Sequence, residues 1–299
     1  MKRAVLLMAY GSPSGLDDVA RYYTHIRRGV PPEPAQLQAL LDRYMAIGGN
    51  SPLISITNAQ ARLLGERLKE LPQRYFSKVY IGLKHTEPFI THALEQMAVD
   101  GVQAAVGIVL APHYSALSVG VYVQEAAKKA DELGISMKFI NDWYAQPALN
   151  EALTIRLQGA LARLQGVEKV KVVFSAHSLP ERVIAMNDPY PLQLQRHSDI
   201  LATRVGVEDW QFAWQSAART REAWLGPDIL HVLQDLKAQG YDGVVSCPLG
   251  FIADHLEVLY DLDVEAKGLS QQLGLRFART DSLNADPLLI EALFQAIHE

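Results

Sequence analysis

The chain opens with Ala-Val-Leu-Leu-Met-Ala-Tyr-Gly at residues 4–11, a short apolar run that ends in a tyrosine and a glycine. No charged residue interrupts the run, so it predicts a strand over residues 4–9 that is buried on both faces of a parallel sheet. A secretory signal peptide is the competing interpretation. The apolar part is only about seven residues long, however, and no small-residue cleavage site follows it.

Seven further apolar runs alternate with longer amphipathic stretches. The runs lie at residues 79–83, 104–110, 137–140, 170–175, 211–214, 243–247 and 275–278. The stretches between them, such as 58–71, 89–100, 149–164 and 228–239, carry apolar residues at helical spacing. This alternation predicts a doubly wound α/β fold with parallel sheets. In such folds, ligands bind beyond the carboxyl ends of the strands.

Two segments of the chain carry the same pattern at the same offsets. Pro88 is followed by Ile90, Leu94, Met97 and Gly101, and Pro227 is followed by Ile229, Leu233, Leu236 and Gly240. Any βα unit would show part of this pattern, but the matching offsets favour two similar halves. We expect an N-terminal α/β domain at residues 1–142, joined by a C-terminal helix at 286–299, and a second α/β domain at 143–285.

The composition excludes several classes of protein. The net charge of −5 gives no general reason to bind nucleic acid, which usually requires a clustered basic surface. The single cysteine, Cys247, cannot form an internal disulfide, a Cys-based zinc site or a four-Cys iron–sulfur cluster. No apolar stretch approaches the ~20 residues that span a bilayer. We therefore expect a cytoplasmic protein with no integral membrane segment.

One histidine follows directly after a predicted strand, in Ser-Ala-His-Ser-Leu-Pro at residues 175–180. A neutral imidazole accepts protons and binds first-row metals, so His177 is a candidate base or metal ligand. A histidine that only hydrogen-bonds at a strand end is the alternative. Of the other histidines, His25, His85 and His113 fall in predicted loops, and His92, His197, His231 and His298 fall on predicted helix surfaces.

Acidic residues recur at four-residue intervals in the segment 254–265. On an α-helix, Glu257, Asp261 and Glu265 form one ridge that could pass a divalent cation inward through weak oxygen ligands. Like charges at this spacing destabilise a helix unless a cation or another partner offsets them. A solvated acidic helix face is the alternative.

Arginines lie close to a glycine-rich segment near the N-terminus. Arg27 and Arg28 are adjacent, and Arg43 precedes the glycines at 48 and 49. Paired arginines can hold carboxylates through bidentate hydrogen bonds. A basic pair on the surface without a ligand is the alternative.

Taken together, these segments resemble the class I ferrochelatase family over nearly the whole chain. The segments that carry the resemblance are residues 8–11, 22–29, 43–53, 80–85, 175–180, 214–216, 224–227 and 254–261. Met-Ala-Tyr-Gly at 8–11 and Thr-His-Ile-Arg-Arg-Gly at 24–29 resemble the Gram-positive branch, whose members act on coproporphyrin III. The segment 217–223 departs from the family, because it lacks the proline and glycine expected before Trp224.

The resemblance implies two Rossmann-like halves with the porphyrin in a cleft between them. His177 and Glu257 would be the catalytic residues and the ligands of Fe²⁺ on one face of the macrocycle, and Tyr10 would ligate the product iron from the opposite face. The remaining implied contacts are with the porphyrin at Arg27, Arg43, Tyr44, Ser51 and Tyr122, and with an outer divalent cation such as Mg²⁺ at Asp261 and Glu265, with Arg43 nearby. The four carboxylates of coproporphyrin give Arg27, Arg28, Arg43 and Lys84 a rationale.

The resemblance also implies an activity. A monomeric ferrochelatase of this branch would insert ferrous iron into coproporphyrin III during heme synthesis, with Fe²⁺ as a substrate, no tightly bound cofactor and no iron–sulfur cluster. The next enzyme of the heme pathway would be a possible partner. The alternatives are a chelatase for protoporphyrin IX or a cobalt corrinoid precursor, and a non-catalytic tetrapyrrole or metal carrier. Tyr10 and the arginines disfavour a chelatase for either of the other tetrapyrroles. The joint presence of His177 and Glu257 disfavours a non-catalytic carrier.

Overall fold

The computed structural model describes residues 2–71, 76, 78–218, 220 and 222–298, and these form two four-stranded parallel sheets. The first sheet has the order β2-β1-β3-β4, with β1 (Arg3–Ala9), β2 (Val79–Leu83), β3 (Ala104–Val109) and β4 (Ser136–Ile140). The second has the order β6-β5-β7-β8, with β5 (Val170–His177), β6 (Trp210–Gln215), β7 (Gly243–Cys247) and β8 (Arg276–Arg279). The predicted α/β fold with two similar halves is confirmed.

All eight predicted strands are present, and their ends differ from the prediction by two residues at most. The largest difference is in β5, which was expected to end at Ser175 and continues to His177. The extra residues belong to the strand because His177 pairs with Gln215, the last residue of β6.

Helices cover both faces of each sheet. They are α1 (Val19–Ile26), α2 (Pro34–Ala46), α3 (Leu53–Lys69), α4 (Ile90–Val99), α5 (Val119–Leu133), α6 (Pro147–Ala162), α7 (Arg182–Ala185), α8 (Tyr190–Val205), α9 (Ile229–Ala238), α10 (Leu256–Tyr260), α11 (Lys267–Leu273) and α12 (Pro287–His298). A 3₁₀-helix (Leu16–Asp18) precedes α1, and a π-helix (Asp261–Ala266) joins α10 to α11. In the described part of the chain, no helix has the length and apolar character needed to cross a membrane.

The internal repeat predicted from the two proline segments corresponds to equivalent structure in the two halves. Helices α4 and α9 follow β2 and β6, the edge strands of their sheets. The carbonyl oxygen of Pro88 accepts a hydrogen bond from the backbone N–H of Leu83 at 2.8 Å, and that of Pro227 accepts one from Trp214 at 2.8 Å. In both halves, the segment before the helix is therefore hydrogen-bonded to the edge strand in the same way.

The central strands alternate their side chains between two cores. On β1, Leu6 and Met8 pack with α4 and α5, whereas Val5 and Leu7 face a core that also contains Phe174 of β5. Because strand side chains alternate between faces, a strand without polar residues fills two layers at once. The core on the Val5 side is continuous with that of the second sheet, so it joins the two halves.

The C-terminal helix α12 lies between the halves. Glu291 of α12 accepts a hydrogen bond from Arg67 of α3 at 2.8 Å, and the guanidinium of Arg67 lies 3.9 Å from the ring centre of Phe294. Gln295 accepts a longer bond of 3.5 Å from the backbone of Ala148 in α6. Because α12 contacts both halves, the domain boundaries at residues 142 and 285 stay predictions.

Two of the histidines lie elsewhere than expected. His25 belongs to helix α1 rather than to a loop. His197 lies on α8 but is completely buried, because it points toward His113 at the end of the first sheet and not toward solvent. Helical spacing fixes which residues share a face, but it does not identify the buried face when both faces carry polar residues.

Candidate active site

The site begins at His177, the last residue of β5. Its Nδ1 lies within hydrogen-bond distance of the backbone carbonyl oxygen of Ser178, which can only accept. Nδ1 therefore carries the hydrogen, and Nε2 is the atom available to a proton or a metal ion. The hydroxyl of Tyr190 donates to the backbone carbonyl of His177 at 3.2 Å, so main chain and ring are both held.

Glu257 faces His177 from the first turn of α10. Its Oε1 lies 3.5 Å from Nε2 of His177, and its Oε2 lies 3.5 Å from Nε2 of His255. His255 has the same arrangement as His177, because its Nδ1 lies 2.9 Å from the carbonyl oxygen of Ala253. The carboxylate thus lies between two imidazole Nε2 atoms, and about a third of the His177 and Glu257 side chains stays exposed.

Opposite charges on His177 and Glu257 stabilise each other. Burial alone would lower the pKa of His177 and raise that of Glu257, because it penalises both charges. Their mutual attraction outweighs burial, so the pKa of His177 is raised to about 9 and that of Glu257 is lowered. At neutral pH the pair is an imidazolium and a carboxylate. Nε2 of His177 can accept another proton or a metal ion only after its own proton leaves.

A glycine brings the segment before Glu257 against the strand that carries His177. The backbone N–H of Gly250 donates to the carbonyl of Ser175 at 3.2 Å. A Cβ atom on Gly250 would lie 2.4 Å from the Cβ of Ala176, a separation that real side chains do not adopt. A residue with a side chain would therefore separate β5 from the segment that leads to Glu257.

Gln215 links the same two segments from β6. Its side-chain oxygen accepts from the hydroxyl of Ser175 at 2.9 Å, and its side-chain N–H₂ donates to the backbone carbonyl of Glu257 at 3.4 Å. The side chain is buried, so both bonds are protected from water. Gln215 lies at a strand end, where the fold predicts ligand contacts. Its side chain instead joins Ser175 to the backbone of Glu257.

Tyrosines of the first half face the same space as Glu257. Tyr10 follows β1 with its ring accessible, whereas Tyr44 of α2 and Tyr122 of α5 are buried. Desolvation raises the pKa of each phenol, and the charge of Glu257 raises it further. Tyr44 packs with Leu256 and Tyr260 of α10, the helix that carries Glu257. The two halves therefore meet around one cleft.

An ion pair crosses the cleft at one end. Arg43 of α2 is paired with Asp261 at the start of the π-helix, and its guanidinium lies 4.5 Å from the ring centre of Tyr260. Ser216 donates a hydrogen bond to the other carboxylate oxygen of Asp261. Burial raises the pKa of Asp261 to about 6, although Arg43 and Ser216 oppose this shift.

Comparison with known proteins identifies the family. Residues 2–299 match the family profile described as Ferrochelatase. The chain belongs to the ferrochelatase family. A coproporphyrin III ferrochelatase from Anoxybacillus flavithermus is 45% identical, covering 97% of this chain and 93% of its own length. A protein of the same name from Geobacillus kaustophilus is 44% identical, with coverages of 98% and 94%.

Solved structures share the fold of this ferrochelatase family member at low sequence identity. SirB from Bacillus subtilis with Fe³⁺ superposes with a TM-score of 0.59 at 13% identity, covering 100% of this chain and 95% of its own. CbiX, the terminal enzyme for biosynthesis of siroheme in denitrifying bacteria, gives 0.53 at 13% identity, with coverages of 99% and 98%. At such identity the likeness shows the fold alone.

The acidic ridge predicted from the four-residue spacing of Glu257, Asp261 and Glu265 is not present as a regular α-helical face. The helix changes to π geometry at Asp261, so residues four apart no longer align on one face. Asp261 is buried and paired, whereas Glu265 is exposed and lines a surface groove of about 520 Å³ between the π-helix and α9. Within the described ranges, no group of three or more His, Cys, Asp or Glu side chains could hold a metal ion.

The remaining ferrochelatase-type residues divide between rim and interior. Arg27 follows α1, and its Nε donates to the carbonyl of Val30 at 3.2 Å. Ser51 is buried, and its hydroxyl accepts from the backbone of Leu53 at 3.3 Å. The ammonium of Lys84 lies 4.6 Å from the ring centre of Tyr122. In the unusual segment 217–223, Arg219 and Arg221 lie outside the described residues.

His255 is the site residue that sequence reasoning missed. It stands two positions before Glu257 in the segment that carries the family resemblance. On a regular helix, side chains two positions apart point in different directions, which argues against a shared site. The feature that could have identified His255 is the start of the helix. His255 precedes α10 with an extended backbone, so its side chain can turn toward Glu257.

Proposed function

We propose that this chain inserts ferrous iron into coproporphyrin III to give coproheme, with release of two protons. The observation that carries the proposal is the contact between His177 and Glu257, which places a base and a carboxylate at a cleft walled by tyrosines. The coproporphyrin III ferrochelatases among its relatives support the substrate, because they match over nearly the full length of both chains.

Metal insertion exchanges two pyrrole N–H protons for one Fe²⁺. In the proposed mechanism, the proton between His177 and Glu257 first leaves to solvent, which frees Nε2 of His177. The neutral imidazole then accepts a pyrrole proton, and the Glu257 carboxylate accepts the second; if Glu257 coordinates the entering ion instead, the second proton passes to water. The pair alone supplies too few ligands for iron, so the pyrrole nitrogens complete the coordination as water is lost.

The macrocycle would be held between the two walls of the cleft. We assign Tyr10 to the face opposite His177, where its phenol would ligate the product iron, and Tyr44, Ser51 and Tyr122 to contacts with the ring. Arg27, Arg28 and Lys84 are available for propionates. Arg43 would have to leave Asp261 to reach one, which makes it a weaker candidate than the sequence suggested.

The outer cation site is a further part of the proposal. Asp261 and Glu265 would hold a divalent cation such as Mg²⁺ only after Arg43 releases Asp261 and the π-helix turns both carboxylates to one face. We also propose that the protein works in the cytoplasm as a monomer and that it passes coproheme to the next enzyme of the heme pathway.

The assay that tests the function follows the loss of free-base porphyrin bands after mixing anaerobic Fe²⁺ with coproporphyrin III or protoporphyrin IX. We expect turnover with coproporphyrin III and little with protoporphyrin IX. Turnover with neither would refute the enzyme, and faster turnover with protoporphyrin IX would refute the substrate alone.

Two variants test the site in the same assay. His177→Ala and Glu257→Gln should each reduce turnover by about a hundredfold or more, which is the usual contribution of a positioned acid or base. Coproporphyrin binding, followed by quenching of tryptophan fluorescence, should largely survive in both. Near-wild-type rates would show that these residues have been assigned the wrong roles.

A further inference from the structure

A row of four rings connects the protein surface with Tyr10. Phe89 stacks on His25 with ring centres 5.0 Å apart, His25 meets His85 edge-on at 5.3 Å, and His85 packs against Tyr10 at 4.5 Å. The Nδ1 atoms of the two histidines are 3.1 Å apart, so one ring donates a hydrogen bond to the other. The exposed His25 thus braces the half-buried His85.

The main chain fixes His85 relative to Tyr10. The backbone N–H of His85 donates to the carbonyl of Tyr10 at 3.1 Å, and that of Lys84 donates to Ala9 at 2.9 Å. Gly11 adopts a φ of +87°, and a Cβ atom there would lie 2.6 Å from a methyl carbon of Thr86. The loop after β2 is therefore packed tightly against the residues that follow β1.

We infer that His85, braced by His25, is a positioning residue that fixes the direction of the Tyr10 phenol in the cleft. Tyr10 is exposed where it borders the cleft. Water around its ring does not restrict the side chain to one rotamer, so a protein contact has to do so. The tilted contact with the His85 ring, with ring centres 4.5 Å apart, favours one rotamer of Tyr10 over the others. The consequence for catalysis rests on the proposed function, but the ring contact does not.

The first experiment measures the position of Tyr10 in the ligand-free protein. Tyrosines are replaced by 3-fluorotyrosine, and the ¹⁹F signal of Tyr10 is assigned from its loss in Tyr10→Phe. We expect His85→Ala to move and narrow this signal, because the ring current is lost and the phenol rotates freely. His25→Phe should move it less, since it keeps the stacking on Phe89 and loses only the hydrogen bond.

His92→Ala is the matched control. His92 contacts Phe89 with ring centres 5.4 Å apart and is paired with Glu87, so three rings, those of Phe89, His25 and His85, lie between it and Tyr10. The Tyr10 signal should be unchanged in this variant. An unchanged signal in His85→Ala would overturn the inference, whatever the protein's activity.

The second experiment measures the consequence in turnover. His85→Ala should lower kcat for coproporphyrin III by about tenfold while KM changes little, because a misplaced group costs rate more than binding. The ferric coproheme complex should lose the phenolate-to-iron absorption that Tyr10→Phe also removes. His85→Phe should restore both, since it returns a ring to the same place.

The outcomes separate the two proposals. If the wild-type protein does not turn over coproporphyrin III, the proposed function fails, and the ¹⁹F signal still decides whether His85 positions Tyr10. If the wild type turns over, and if His85→Ala retains both the rate and the iron absorption that Tyr10→Phe loses, the positioning role alone fails.

Discussion

At the scale of single residues, the mechanism proposed above makes His177 the carrier of the proton that competes with iron. Its Nε2 is 3.5 Å from Glu257, and the carboxylate raises the pKa of His177 to about 9 against the effect of burial. Since this folded-state pKa exceeds the ordinary value of 6.5, the pair stabilises the fold below pH 6.5 and loses that contribution as pH rises through 9. Iron entry has the opposite dependence, because it requires the proton to leave.

This competition predicts two shifts that can be measured in solution. In the ligand-free protein, the His177 ring signals should titrate near pH 9 in an NMR pH series, with His177→Ala providing the assignment. In Glu257→Gln the midpoint should fall below 6.5, because burial remains and the carboxylate charge is gone. With wild-type protein and limiting Fe²⁺, the insertion rate should rise from pH 7 to about 9.

A midpoint near 6.5 in both proteins would contradict this account of the pair. His298→Gln is a suitable control, since His298 is exposed at the end of α12 and its Nδ1 lies 2.9 Å from the carbonyl oxygen of Phe294 in the same helix. It should leave the titration of His177 and the pH–rate profile unchanged.

At the scale of elements, the site depends on how closely the segment after β7 approaches β5. Gly250→Ala would place a Cβ atom 2.4 Å from that of Ala176 and 2.9 Å from its Cα, and neither is the end of a flexible side chain. We expect a loss of about 1–3 kcal/mol in the free energy of unfolding, as for other overpacked sites. Urea unfolding measures the loss, and turnover should fall with it because Glu257 moves away from His177.

Gly159→Ala is the matched control for this substitution. Gly159 lies inside α6, and a Cβ atom there would meet nothing within 4 Å. The change should be neutral or should stabilise the protein by up to about 1 kcal/mol, since alanine loses less entropy in a helix. Equal effects of the two substitutions would show that the approach at Gly250 is not tight.

The elements themselves were largely predictable, but their contacts were not. Apolar runs gave all eight strands, because burial on both faces leaves an unmistakable composition. The π-helix was not predictable, since the spacing of Glu257, Asp261 and Glu265 fits an α-helix equally well. Asp261 at its start is paired with Arg43, 218 positions away in the chain, and residue spacing does not show such a contact.

The same limit applies to the candidate site. The residues His177, Glu257 and Tyr10 could be named from motifs that also gave the family. The family resemblance placed Arg43 near Asp261, but their direct ion pair and the approach of His255 to Glu257 required the fold. Sequence patterns locate chemistry along the chain, and tertiary packing decides which of these groups meet.

At the scale of the whole molecule, a buried polar seam joins the two halves behind the cleft. Nε2 of His113, after β3, lies 2.8 Å from Nδ1 of His197 in α8, and both rings are almost completely buried. Gln193 accepts a hydrogen bond from the backbone of Tyr114 at 2.7 Å, and Asp188 accepts one from the hydroxyl of Ser115 at 3.0 Å. Residues 113–115 thus contact residues 188–197 throughout the seam.

The histidine pair predicts that acid loosens the contact between the halves. Burial lowers the pKa of His113 well below its usual range and that of His197 to about 3, so both rings stay neutral in the folded protein. In the unfolded chain both take up protons below pH 6.5, and stability therefore falls as pH falls from 6.5 toward 3. Each histidine contributes a slope of up to about 1.4 kcal/mol per pH unit in this window.

Replacing both histidines with leucine tests this account, because the variant removes both groups that take up protons in the unfolded chain. We expect His113→Leu/His197→Leu to flatten the pH dependence of the free energy of unfolding between pH 6.5 and 4, measured by urea unfolding at several pH values. The slope is the decisive quantity, since packing changes shift stability equally at every pH. His231→Leu, on the surface of α9, should keep the wild-type slope, and an unchanged slope in the double variant would show that the seam does not resist acid through these rings.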